Sequence, residues 1–209
     1  MKKLPTRALR QSVVYAMLVA AACTVPLMAS ADVELANLAE HGRVEQLQQL
    51  LQSGTDVNGR LSDGSTALHR AVLNDQPTAV EALLAAGADP VLLNRNGISP
   101  LFLAVQNGSA SIVASLLKAG ADPNTLSETG ETILMTAAHT GKPEVVSLLL
   151  QSGALVDVRD PEFKQTALMI AVREGQTAVV DMLIRHGTEV DARTRVGPTP
   201  VYLPPCKGT

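Results

Sequence analysis

One phrase returns along this 209-residue chain at almost constant spacing. It reads G-S-T-A-L-H-R-A from Gly64, G-I-S-P-L-F-L-A from Gly97, G-E-T-I-L-M-T-A from Gly130 and K-Q-T-A-L-M-I-A from Lys164. A fifth start, G-P-T-P-V, begins at Gly197, so successive copies are 33, 33, 34 and 33 residues apart. Two further series keep the same step: Gly54, Gly87, Gly120, Gly153 and Gly187, and Gly42, Asp75, Gly108, Gly141 and Gly175. A fixed period of this size specifies a solenoid of stacked supersecondary units. Each unit rests only on its neighbours, and the stack offers an extended surface suited to binding another protein.

The residue types define the unit as turn, helix, short loop, helix, turn. Thr66, Ser99, Thr132 and Thr166 precede apolar runs, where a hydroxyl caps the free N–H groups of a helix start. Pro100 stands at a first helical position, where its missing N–H costs nothing. Leu68, Leu101, Leu134 and Leu168 are predicted to fill the space between repeats. Ala71, Ala104, Ala137 and Ala171 keep one face small enough for close helix approach. Gly87, Gly120, Gly153 and Gly187 end second helices in the left-handed conformation. Asp89-Pro90 and Asp122-Pro123 then open turns. The fold class is an all-α repeat solenoid. Five helix pairs are predicted, near Glu34–Gln52, Thr66–Ala86, Ser99–Ala119, Thr132–Ser152 and Thr166–His186.

T-A-L-H-R-A at Thr66 to Ala71 and S-P-L-F-L-A at Ser99 to Ala104 resemble the T-P-L-H-x-A signature of the ankyrin repeat. A-A-G-A-D-P at Ala85 to Pro90 and K-A-G-A-D-P at Lys118 to Pro123 are similar to the family's repeat ends. The resemblance runs from about Val33 to Val201. It implies helix-turn-helix pairs with hairpin-like fingers between repeats, and a concave groove lined by finger tips and first helices. It also implies a structural role for His69, bonding neighbouring loops. One finger departs from the pattern: V-R-D-P-E-F-K-Q carries one extra residue and has Lys164 where the others have glycine. That finger is expected to project differently.

The ends carry other signals. Lys2, Lys3, Arg7 and Arg10 precede an apolar run from Val13 to Val25 and a small-x-small site at Ala29-Ser30-Ala31. This is the grammar of a cleaved secretory signal peptide. The run is short for a membrane span, which needs about 20 residues. Cys23 after Ala20-Ala21-Ala22 leaves a lipid-anchored form as the alternative. The expected organisation is a signal peptide over 1–31, a capping repeat over 32–60, four repeats over 61–193 and an incomplete repeat over 194–209. Pro204-Pro205 stop the last repeat; the expectations for this end are a tail that covers the final apolar face, a truncated chain, or a face that meets a partner. Of 209 residues, 178 would remain after removal of the first 31, enough for one domain.

Charge narrows the partners. Taking four basic residues from 17 leaves 13 against 20 acidic ones, a formal charge of −7. An acidic solenoid is poorly suited to nucleic acid, whose phosphates call for a basic patch. Cys206 would be the sole mature thiol, most simply a buried or tolerated one, with an intermolecular disulfide as the alternative. His41, His69, His139 and His186 have no H-E-x-x-H spacing, and no glycine-rich phrase has the G-x-x-x-x-G-K-[ST] form. Catalytic, metal-binding and cofactor-binding residues are therefore none, and the chain is not expected to be an enzyme.

The resemblance places partner contacts at positions that vary between repeats. On the helices these are Arg70, Leu73, Asn74, Leu103, Gln106, Asn107, Thr136, His139, Thr140, Arg173 and Glu174. On the fingers they are Arg95, Glu128, Glu131, Glu162 and Phe163. Phe163 is the aromatic expected to matter most, and the later fingers are acidic. The expected function is a protein–protein interaction module in the bacterial periplasm, monomeric, scaffolding or stabilising one partner. The alternative is an immunity or inhibitor protein occluding a toxic periplasmic effector or enzyme; secretion outside the cell is a second location.

Overall fold

The computed structural model describes residues 31–127 and 129–190. The readings placed on the segment before Ala31, on Glu128 and on the tail with Cys206 lie outside these residues. Within them are ten helices. They are α1 Ala31–Glu40, α2 Val44–Gln52, α3 Ala67–Leu73, α4 Pro77–Ala85, α5 Pro100–Asn107, α6 Ala110–Lys118, α7 Ile133–Thr140, α8 Pro143–Gln151, α9 Ala167–Arg173 and α10 Thr177–Arg185. Each predicted pair is present, divided by the turn that the second glycine series marks. At one of these turns the backbone is left-handed without glycine: Asp75 has φ 51°. Its carboxylate accepts from the Ser109 hydroxyl of the next repeat, which ties an otherwise disfavoured conformation to a bond between layers.

Helices of seven to ten residues are marginal in water alone, so packing holds them. First helices stack in one row, α3 on α5 on α7 on α9. Second helices stack in another, α2 on α4 on α6 on α8 on α10. Leu68, Leu101, Leu134 and Leu168 are buried between the layers, and Ala71, Ala104, Ala137 and Ala171 have no exposed surface. Each fully buried leucine contributes about 1.5–3 kcal/mol. Thin layers explain how a core of Leu, Val, Ile and Ala suffices for a chain with so few aromatics. Three of the four expected caps form: Ser99 Oγ accepts from the Phe102 amide at 3.1 Å, Thr132 Oγ1 from the Met135 amide at 3.2 Å and Thr166 Oγ1 from the Met169 amide at 3.4 Å; the Thr66 hydroxyl bonds to the His69 ring instead.

A ladder of side-chain bonds joins the turns. Asn58 Nδ2 donates to the Gly87 carbonyl and its Oδ1 accepts from the Asp89 amide. Asn124 repeats both bonds with Gly153 and Leu155, and Asp157 Oδ1 accepts from the Glu189 amide. The period puts Val91 between Asn58 and Asn124, so that rung is missing and an apolar side chain stands 50% exposed. The two repeats concerned are joined instead through helix residues: Asn107 Nδ2 donates to the Val72 and Leu73 carbonyls at 3.0 and 3.3 Å. Val91→Asn should supply the rung to Gly120 and Asp122 and stabilise the protein by about 1 kcal/mol, the net worth of one or two such bonds. A chemical-denaturation midpoint that stays put or falls would contradict this.

The fingers close as tight reversals. Leu61 donates to Ser65, Asn94 to Ile98 and Ser127 to Glu131 through main-chain N–H···O bonds of 2.8, 3.1 and 2.8 Å. Leu126 and Thr132 form an isolated antiparallel bridge at the third finger. In the fourth, Asp160 donates to Gln165 at 3.0 Å, so the inserted residue lengthens the reversal by one. The Asp160 carboxylate is buried and accepts from the Glu162 and Phe163 amides at 3.0 and 2.7 Å, and also from the Gln165 amide. Lys164 takes the left-handed conformation, φ 58°, that glycine takes elsewhere.

Candidate binding groove

The third residue after each capping hydroxyl sets the character of the groove. These are His69, Phe102, Met135 and Met169. In the first case the side chain is a structural clasp. His69 Nδ1 accepts from the Thr66 amide at 3.2 Å and the Thr66 hydroxyl at 2.9 Å, while Nε2–H donates to the Ile98 carbonyl of the next finger at 3.1 Å. Both ring nitrogens are thus used by the neutral tautomer, and burial holds the imidazole pKa below its ordinary 6.5. The bond to Ile98 is the link between neighbouring loops that the repeat signature implies.

In the next two repeats that position is apolar, and the surface opens. A cavity of about 220 Å³ lies between the second and third fingers, lined by Asn96, Ile98, Phe102, Leu126, Thr129 and Glu131 among others. A second, of about 290 Å³, lies over the first helices and is lined by Phe102, Gln106, Glu131, Met135, Thr136, His139, Ile170 and Arg173. Phe102 and Glu131 belong to both, so the two form one continuous groove from the fingers onto α5, α7 and α9.

The groove gathers Gln106, Glu131, Thr136, His139 and Arg173 from the residues proposed on sequence grounds. Other proposed residues do not line it. Arg70 forms an ion pair of 2.9 Å with Asp63 in its own repeat. The Asp63 carboxyl is held below its usual range, first by the Ser65 amide that donates to it, then with help from Arg70. Asn74 donates to the Arg70 carbonyl, Asn107 bridges to the previous repeat, and Thr140 donates to the Ala137 carbonyl. Leu103 packs against the core. Leu73, Arg95, Glu162 and Phe163 are exposed beyond the two cavities. Glu174 sits at the edge, where its Oε1 meets Arg173 Nε at 3.0 Å and His139 Nδ1 at 3.4 Å. Arg173 Nη1 also donates to Gln165 Oε1 at 2.7 Å.

Sequence reasoning missed the apolar lining: Phe102, Leu126, Met135 and Ile170. A signal was present, since Phe102 and Met135 occupy the place of His69 in the repeat phrase.

A family model for ankyrin repeats, in three copies, matches residues 35–127 and again 101–194. The chain belongs to the ankyrin repeat family. Ankyrin repeats are in general protein–protein interaction modules, and the groove lies on the finger and first-helix surface where that signature places contacts. Two curated relatives each match part of the chain. The mitochondrial disaggregase of Bos taurus is 44% identical over 63 residues, 30% of this chain and 9% of that protein. The mitochondrial disaggregase of Homo sapiens is 41% identical over 61 residues, 29% of this chain and again 9% of that protein. The match therefore spans less than a tenth of the length of these relatives. Among the described residues no helix is long and apolar enough to cross a membrane.

Proposed function

We propose that this ankyrin protein is exported to the bacterial periplasm and holds one partner protein there, as a scaffold or stabiliser. The observation that carries the binding role is the groove formed by two cavities that share Phe102 and Glu131. Its apolar floor and polar rim are the usual anatomy of a protein-binding patch. Export rests on the basic, apolar and small-residue grammar of the first 31 residues.

Photocrosslinking in living cells tests both parts. A benzophenone side chain at Gln106, inside the groove, is expected to capture a discrete protein in the periplasmic fraction. The same group at Glu81, an exposed position on α4 of the second-helix row, should not. Equal capture from both sites, or none from Gln106, would sink the groove as a binding site. Capture confined to the cytoplasmic fraction would sink the location.

A further inference from the structure

We propose that the groove takes an extended peptide segment in which an apolar side chain is followed, within two positions, by Lys or Arg. This deepens the adaptor reading and rests on it. The first cavity has the size of one aliphatic or aromatic side chain, and its walls include Ile98, Phe102 and Leu126. Leu126 is 51% exposed, an apolar area that an inserted side chain would cover. Among the described residues lining this cavity, Glu131 is the one charged group, and it forms no ion pair among them. Glu131 also stands at the threshold of the second cavity. There the positive charge of Arg173 is already matched by Glu174 at 3.0 Å, so the charge left to the occupant is negative.

An anchor in the first cavity therefore puts the next one or two residues of an extended chain beside a carboxylate. Alternate side chains in such a chain lie roughly 6–7 Å apart on one face. A cation there meets its complement, while an acidic residue would face a like charge in a partly desolvated site.

The test is a selection of random dodecapeptides displayed on phage against the purified protein and two variants, Leu126→Asp and Glu131→Lys. Both positions are exposed, and unchanged circular dichroism and melting show that the variants fold. Peptides enriched on the unaltered protein should carry the apolar–basic pair. Synthesised singly, they should lose about tenfold in affinity for either variant, as a reversed or misplaced charge does at a contact that binding covers. Selection on Glu131→Lys should return Asp or Glu in place of Lys or Arg. The inference is overturned by peptides that enrich without the pair, by winners that bind both variants at full strength, or by no enrichment at all. In each of these cases capture from Gln106 decides separately whether the groove is a binding site.

Discussion

Replacing Leu134 with alanine should lower the free energy of unfolding by about 2–5 kcal/mol, the range for a leucine removed from a packed core that cannot collapse around the loss. Leu134 is 1% exposed on α7, a helix in contact with α5 on one side and α9 on the other. The cavity therefore opens at two interfaces. In a solenoid, stability is the sum of repeat and interface contributions, so weakening a middle layer also loosens the coupling of its two flanks. The urea transition should broaden as well as move. Leu148→Ala, at a half-buried position on the second-helix row, is the control and should cost less. A Leu134→Ala loss under about 1 kcal/mol would show that the layer repacks or contributes little.

His69→Ala should be the costliest polar change, at about 2–3 kcal/mol. It removes the acceptor of the buried Thr66 hydroxyl and amide and the donor to Ile98, and buried groups left without partners account for most of such a loss. The effect depends on pH. Burial depresses the folded-state pKa of His69 below its ordinary 6.5, whereas the unfolded chain protonates near that ordinary value. The unfolded state therefore binds more protons in the interval. The histidine's contribution is complete above 6.5 and is lost as pH falls through the folded-state pKa. The gap in unfolding free energy between the native protein and His69→Ala should shrink from about pH 7.5 to about pH 5. A gap of constant size would mean that His69 is not held neutral by burial.

The period made the framework legible. Each predicted helix pair is present because the stacking leucines, the close-packed alanines and the glycine stops recur in phase. The clasp at His69 was legible too, through its place in the repeat phrase. The groove was harder to read. Phe102 and Met135 look like stacking residues in a one-dimensional pattern, since apolar side chains at those positions fit both the core and the lining. Only the packing separates them: Phe102 is half-buried beside both cavities, while Met135 is 1% exposed beneath the second. Asn107 and Thr140 illustrate the converse. They vary between repeats, as contact residues do, yet their side chains bond to main-chain carbonyls. Phe163 stood out as an exposed aromatic and is 48% exposed, but the groove centres on Phe102 instead.

Among the described residues, side-chain bonds link each repeat to its neighbour in the chain. Asn58 to Gly87 and His69 to Ile98 each span 29 residues, Asp157 to Glu189 spans 32, and Asn107 to Val72 spans 35. Each described layer is completed by its sequence neighbours, as expected of a stack in which a repeat touches only the next one. A chain that emerges N-terminus first, whether from a ribosome or through a translocation pore, can complete each layer once the following one has cleared the exit. The architecture therefore needs no more than about two repeats of unfinished chain to be shielded at any moment.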